Sequence, residues 1–362
     1  MRFLFFSILI LFSFIVSAQE TNKVVDSIPS TENNFIEKYH QQLNINFEIS
    51  NERTNYFVPL EDGQVKVKSN LNIRYAFVFS YKFLSIRLGF RPPVSDEEKE
   101  NKGDSKSFRL RVKLLFDKWS HQFEYNRNEG YYLANSEGFN ISSVSDDFHI
   151  QFPNLTTNIF QGISLYKLND NFSLRAIESQ TEIQIKSAGT FMPGLAYKYY
   201  DIKGSEEIII APDESIYREN YNEASGFDLT ANAGYYYTFV FHKYLFAHGY
   251  ANPGVGIDFY NISSYSPNGA DKDNGTDVFF VFNTGASIGY NGKKIFAGAS
   301  YDYTYASEKF NNTEIQIQPS KDQFHVYIGY RFRAPKQVRK PVNYIENKVP
   351  ILKEDDDDKG KN

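Results

Sequence analysis

The chain contains no cysteine, a single tryptophan and two methionines among its 362 residues. Without a thiol there is no disulfide, no thiolate nucleophile and no lipid attachment through an N-terminal cysteine. Histidine is scarce too. The six imidazoles stand at His40, His121, His149, His242, His248 and His325, with no HExxH or comparable metal-ligand spacing. Beyond the first residues no apolar run approaches the roughly 18 residues of a helical membrane span. A formal net charge of only −5 leaves no basic footprint for nucleic acid. These absences exclude a stapled mini-fold, a helical membrane protein and a nucleic-acid binder.

Phenylalanine and tyrosine are abundant instead, 33 and 27 of them, and their spacing carries the fold. Between Asp277 and Tyr305, Val278, Phe280, Phe282, Ala286, Ile288 and Tyr290 alternate with Asn283, Gly285, Ser287 and Gly289. One face is greasy and the other small or polar, which is the period of a strand. Asn291-Gly292 predicts a two-residue type I′ reversal. The return strand sets Ile295, Ala297, Ala299, Tyr301, Tyr303 and Tyr305 against Gly298, Ser300, Asp302 and Thr304. Each arm meets the roughly 9–11 tilted residues that a strand needs to cross a bilayer.

The same unit recurs along the chain. Leu43, Ile45, Phe47 and Ile49 alternate with polar residues, and so do the odd positions from Val65 to Tyr81, then Leu84 to Phe90, Phe108 to Phe116 and Trp119 to Arg127. Further strands are predicted at 157–168, 172–177, 190–202, 227–241 and 245–262, and a last one at 324–332. Short turns alternate with long loops, among them 128–156, 203–226 and 263–276. That sorting predicts an all-β, transmembrane, antiparallel up-and-down β-barrel with short periplasmic turns and long extracellular loops. Thirteen strands emerge, an odd number that cannot leave both chain ends on one side. Either Thr181, Ile183 and Ile185, alternating with Glu182, Gln184 and Lys186, add a fourteenth crossing, or that segment folds into the lumen, a weak strand is lost elsewhere, and twelve remain.

Residues 1–18 read as a cleavable signal peptide, with Arg2, an apolar run from Phe3 to Val16 and small residues at Ser17 and Ala18. Residues 19–40 are expected to be a flexible periplasmic lead-in, 41–332 the barrel, and 333–362 a disordered charged tail with four aspartates at Asp355 to Asp358. Export to the outer membrane follows as the expected localisation.

Several multi-residue features fall in an order that resembles an uncharacterised, domain-of-unknown-function family of exported Bacteroidetes proteins. They are Ser107-Phe108, Trp119, Glu124-Tyr125, Gly130-Tyr131-Tyr132, Phe152-Pro153-Asn154-Leu155, Phe172-Ser173-Leu174-Arg175-Ala176, Ser187-Ala188-Gly189, Gly329-Tyr330-Arg331-Phe332 and Ala334-Pro335-Lys336. The likeness runs from about Asn46 to Lys336. It implies an outer-membrane-type barrel and brings no catalytic residues.

Parity places two sets of charges on the inner face. Arg87, Arg91, Arg109, Arg111 and Lys113 form a basic wall on adjacent strands, and Asp228, Asp258 and Asp302 an acidic wall on later ones. Walls of opposite sign across a narrow lumen would either neutralise one another or leave a field that sorts solutes by charge. Asp271, Asp273 and Asp277 flank Asn274-Gly275 in an acidic loop that lacks the bidentate carboxylate a calcium site needs. Phe296, Tyr301, Tyr303, Tyr305 and Tyr235 to Tyr237 are expected in interfacial girdles. A hydrolase needs a serine beside an oriented histidine, but Ser120 and His121 are neighbours on a strand and point to opposite faces. The functional expectation is a non-enzymatic barrel acting as a pore or as a scaffold, without a cofactor or metal. Its expected partners are outer-membrane lipid, other envelope proteins and an unidentified small solute. A lipid-acting hydrolase and a soluble periplasmic β-sandwich binding protein are the alternatives.

Overall fold

The computed structural model describes residues 30–39, 41–54, 56–60, 63–70, 73–134, 148–204, 208–209, 216–217, 221–266, 269–307 and 320–348. The expected signal peptide and the aspartate run lie outside the described residues.

Two short strands, β1 (Ser30–Asn33) and β2 (Ile36–Lys38), precede β3 (Gln42–Thr54). A hairpin of β4 (Tyr56–Leu60) and β5 (Gly63–Lys68) follows, then β6 (Ile73–Tyr81), β7 (Leu84–Phe90) and helix α1 (Asp96–Lys102). Next come β8 (Lys106–Leu115), β9 (Trp119–Leu133), β10 (Gln151–Tyr166), the single helical turn α2 (Arg175–Glu178), and β11 (Glu182–Gln184). After β12 (Ala188–Lys203) and the two-residue strands β13 (Ile208–Ile209) and β14 (Ile216–Tyr217) run the long strands β15 (Tyr221–His242), β16 (Leu245–Ser266) and β17 (Gly269–Asn291). The chain closes with β18 (Ile295–Ala306), β19 (Ser320–Arg333) and helix α3 (Lys336–Lys348).

Twelve of these strands, β3, β6 to β10, β12 and β15 to β19, pair antiparallel in chain order, and β19 pairs back onto β3 with Arg333 opposite Gln42 and Lys321 opposite Thr54. The ladder is a closed cylinder. Four of the five connections at one end are turns of two or three residues, and both chain ends emerge there. Phe280, Ile288 and Tyr330 are 52, 65 and 48% exposed, whereas Thr238, Asp258 and Asp277 on the alternate parity are fully buried. Apolar side chains therefore point out of the cylinder and polar ones into it, the reverse of a soluble fold. No second sheet covers the apolar face among the described residues, which removes the β-sandwich alternative.

Twelve strands form the wall, one of the two counts the sequence allowed. Other sequence expectations are corrected. The predicted strand at 172–177 is largely the turn α2, and Thr181 to Ile185 contributes only β11, which pairs with β2 in a separate three-stranded sheet. The lead-in is consequently structured at its end, because β2 finds a strand partner there and Ile36 and Tyr39 are buried. The predicted loop at 263–276 is a continuation of β16 and β17, paired out to Ser266 opposite Gly269. Asn291-Gly292 does not form a type I′ turn: neither residue has positive φ, and the reversal spans 292–294, where the Gly292 amide donates to the Ile295 carbonyl at 3.1 Å.

The tail is helical from Lys336 to Lys348 rather than disordered. Val338 and Val342, one turn apart, bring α3 against Leu43, Tyr81 and Phe83, with Leu84, Leu114 and Phe332 alongside. By strand parity Leu43, Tyr81, Leu84, Leu114 and Phe332 belong to the outward face, so α3 lies on the outside of the barrel at the short-turn rim. This explains why Leu43 and Tyr81 are buried while Ile49 and Phe77 on the same strands and face are exposed. Lys82 in the β6–β7 turn is ion-paired with Glu346 of the helix. Val342→Asp should place a carboxylate in this apolar contact and release α3. Trypsin would then cleave after Arg339 several-fold faster in detergent micelles, and equal cleavage of both chains would show that Val342 does not hold the helix.

Candidate functional site

The remaining short-end connection, between β10 and β12, is not a turn but the segment 167–187, which folds into the barrel mouth. Barrel residues grip its backbone. Asn44 Nδ2 donates to the Ser179 carbonyl at 3.0 Å, and Asn291 Nδ2 to the carbonyls of Ala176 and Glu182, both at 3.0 Å. The Arg331 guanidinium donates to the Gln180 carbonyl through Nε at 3.0 Å and Nη2 at 2.5 Å, and it also reaches Asn291 and the Gly292 carbonyl. Its plane lies 5.2 Å from the ring of Tyr39 and 4.9 Å from that of Phe296. Phe296 is thus inside the mouth, fully buried, and not in the interfacial girdle expected for it; it shares the even parity of the inward residues of β18.

The segment is also tied to itself and to the N-terminal strands. Arg175 forms an ion pair with Glu182 at 3.2 Å and donates to the Leu115 carbonyl at 2.7 Å. The Tyr39 amide donates to the Thr181 carbonyl at 3.1 Å, and that of Ile185 to Phe35 at 2.7 Å. Gln180 has φ of +52°, a left-handed conformation that costs an ordinary residue about 1–2 kcal/mol. The carbonyl of that strained residue is the one Arg331 holds.

Above this plug the lumen contains a chamber of about 450 Å³. Leu174, Ile177, Glu178 and Gln180 of the inserted segment form its floor, and Arg87, Arg111, Lys113, Asp228 and Asp302 are among its walls. The basic residues do not face the acidic wall uncompensated. In the ladder Arg87 stands directly opposite Arg111, and Ser85 opposite Lys113, so like charges would repel without nearby anions. Glu48 supplies one, accepting from Arg87 Nε at 3.2 Å and Nη2 at 3.0 Å across the small Ala76. Glu52 accepts from Arg109 Nη2 at 2.7 Å and lies 3.3 Å from Lys321. Glu124 accepts from Arg111 Nε at 2.5 Å and stands 3.8 Å from Arg109, while Lys113 is ion-paired with Glu178 of the plug. Arg91 lies past the end of β7, 3.2 Å from Asp104.

The acidic positions have their own partners. Asp228 is ion-paired with Lys198, the Tyr200 hydroxyl donates to both oxygens of Asp258 at 3.1 and 3.2 Å, and the Tyr250 hydroxyl donates to Asp302 at 2.9 Å. Asp277, expected in a loop, lies on β17 opposite Asp258. Glu48, Glu52 and Glu124 were the residues missed. All three share the even parity of inward residues on β3 and β9, so extending the period-two reading from bases to acids would have found them. Glu178 had no such signal, because its segment leaves the wall. Burial alone would raise the Glu178 carboxyl, but the Lys113 ammonium outweighs it and holds the group below the usual carboxylate range.

Three imidazoles contact hydroxyls. His121 Nδ1 is 2.8 Å from Ser164 Oγ on the outward face, a cross-strand partner on β10 rather than the adjacent Ser120. His248 Nδ1 is 3.1 Å from Thr238 Oγ1, and His325 lies 2.8 Å from Ser300 Oγ in the chamber. Asp302 approaches His325 only to 4.0 Å, beyond hydrogen-bond reach. His121 instead stacks on Trp119 at 5.9 Å. Among the described residues none of these three rings is oriented by a carboxylate as a serine hydrolase requires.

The family described as a domain of unknown function (DUF4421) matches residues 24–332, and the chain belongs to it. No curated protein matches. Among solved structures the fold is similar to the outer membrane protease OmpT from Escherichia coli, at 12% identity over 84% of this chain and 100% of that one, with a TM-score of 0.38. It is similar to the translocator domain of autotransporter NalP from Neisseria meningitidis at 7% identity, 82% and 90% coverage and a TM-score of 0.36. The Pseudomonas putida toluene transporter TodX follows at 10% identity, 85% and 92% coverage and a TM-score of 0.28. At such scores the closed antiparallel ladder itself carries the assignment as an outer-membrane-type barrel.

Glu124→Gln removes the anion between two buried arginines, and breaking a buried pair from one side costs about 3–5 kcal/mol. The heat-induced gel-mobility shift of the barrel should fall to lower temperature, and Glu124→Gln with Arg111→Gln should recover part of the loss. An unchanged transition in the single variant would remove Glu124 from the stability of the wall.

Proposed function

We propose that this family member is a non-enzymatic barrel of the outer membrane whose lumen is blocked at its short-turn end in the resting state, a gated pore rather than an open diffusion channel. Its short-turn end faces the periplasm, following the usual sorting of turns and loops in such barrels. The single observation that carries the reading is the grip of Arg331 and Asn291 on segment 167–187. Backbone carbonyls held by side chains of the wall make the segment a plug, and passage requires those contacts to break.

The test is ion conductance in planar bilayers. The wild-type barrel should be silent or open rarely, and Arg331→Ala should give long-lived openings, with the cylinder still intact by gel-mobility shift. Steady conductance of the wild-type chain would overturn the resting closure, and silence of both chains would favour a scaffold. Acid provides a second handle. Because Glu178 titrates lower when folded, its contribution to closure is complete above about pH 4.3 and is lost as pH falls through the lowered value. Openings should therefore increase only on acidification below the ordinary carboxylate range, and a profile that stays flat into acid while the barrel remains intact would remove Glu178 from the gate.

The Ser164–His121 pair on the lipid-facing side favours the hydrolase reading and has its own measurement. Purified protein should release no fatty acid from phospholipid vesicles. Release that disappears in His121→Ala would replace the non-enzymatic reading.

A further inference from the structure

The chamber walls carry a second pattern besides the ion pairs. Asn46 Oδ1, Arg87 Nη1, Asn232 Oδ1 and Nδ2, Asn252 Oδ1, Ser287 Oγ and Gln323 Nε2 are buried and have no protein hydrogen-bond partner. All six residues line the chamber, and each is more than nine-tenths buried. They come from β3, β7, β15, β16, β17 and β19, so they converge from several sides of the cylinder. Four are carboxamides or a hydroxyl on a single stretch of wall, β15 to β19, and such groups both donate and accept.

Most of the charges around them are already matched, the Asp302 carboxylate accepting only from the Tyr250 hydroxyl among the described residues. Glu48 neutralises Arg87, Glu124 Arg111, Glu178 Lys113, and Lys198 Asp228. An anionic guest would lose its hydration and find no uncommitted cation, and a cationic one would find only the Asp302 carboxylate, already engaged by Tyr250. An apolar guest would leave the carboxamides unpaired. A guest rich in hydroxyls satisfies both kinds of site, and the rings of Tyr236, Tyr250 and Tyr327 in the same lining offer apolar surface to its C–H faces. At about 30 Å³ per water molecule the chamber holds the equivalent of about fifteen waters, within the usual range of small-molecule sites.

We propose that the chamber binds a small, uncharged, polyhydroxylated molecule of the mono- or disaccharide class. This rests on the reading of segment 167–187 as the chamber floor, and the experiment separates the two. Full-length protein in an amine-oxide detergent, which carries no sugar headgroup, is titrated calorimetrically with glucose, galactose, sucrose, maltose, trehalose and inositol. Gluconate and glucosamine serve as charged counterparts of similar size. The expected result is saturable binding of at least one neutral compound, at least ten-fold tighter than either charged one. Asn252→Leu and Gln323→Leu, each checked for an intact barrel by gel-mobility shift, should weaken it ten-fold or more. Two substitutions guard against one failing to fold, and Ile288→Ala on the outward face should leave binding unchanged. Binding of none of the neutral compounds, which leaves water as the only guest, overturns the proposal. So does tighter binding of a charged counterpart, or affinity unmoved by both chamber substitutions. Sugar binding by a barrel that conducts steadily would sink the plug alone, and a silent barrel that binds no sugar would sink the ligand class alone.

Discussion

In hydrocarbon no water is available to the peptide group, so every backbone donor and acceptor must find its partner within the chain. The pairing of β19 with β3 meets that demand at the seam, just as β9 with β10 meets it where the N-terminal and C-terminal parts of the wall join. Once the ladder closes, side-chain parity has only two meanings, outward to lipid and inward to the lumen. An even strand number follows, because both termini leave at the same end. The outward burial of Leu43 and Tyr81 is then a local exception with a visible cause, the helix that covers them.

Closure also dictates the electrostatics of the interior. In a narrow twelve-stranded cylinder, bases on neighbouring strands lie one ladder step apart, and the opposition of Arg87 to Arg111 is tolerable only with carboxylates within a few ångströms. Glu124 sits on β9 beside β8, whereas Glu48 and Glu52 lie on β3 and reach Arg87 and Arg109 across the intervening strands, where Ala76 opposite Glu48 is small. The basic wall is thereby neutralised where it stands, and Asp228, Asp258 and Asp302 are engaged by Lys198, Tyr200 and Tyr250 on their own side. Short ion pairs along each wall produce a field that decays over their own length, so a transverse field across the lumen is the weaker description of this interior. What the chamber offers a guest is governed by the groups left over, and those are mainly amides.

The cylinder was legible in the sequence because period-two alternation and turn length are both local signals. Val278 to Tyr290 and Ile295 to Tyr305 have the predicted faces, and Arg87 and Arg111 line the chamber. Segment 167–187 was harder for a physical reason. Ile183 between Glu182 and Gln184 does form a strand, but alternation specifies two unlike faces and says nothing about which strand lies alongside. Here the partner is β2, at a sequence distance no local pattern encodes. The helix at 336–348 was obscured by its charge and by Pro341, since the apolar surface that stabilises it belongs to the barrel rim and not to the helix itself.

The position of the plug has a consequence for assembly. Its carbonyls at Ser179 and Gln180 are held by Asn44 on β3 and Arg331 on β19, and these two residues stand opposite one another across the seam. Neither grip is complete while β3 and β19 are apart. Arg331 also needs the ring of Tyr39, which precedes β3, and that of Phe296 on β18, so the clamp draws on both ends of the chain. A segment from the middle of the sequence is therefore held in part by contacts that need the first and last wall strands side by side. The strained carbonyl of Gln180 is thus held by a guanidinium on one of the two strands that form the seam.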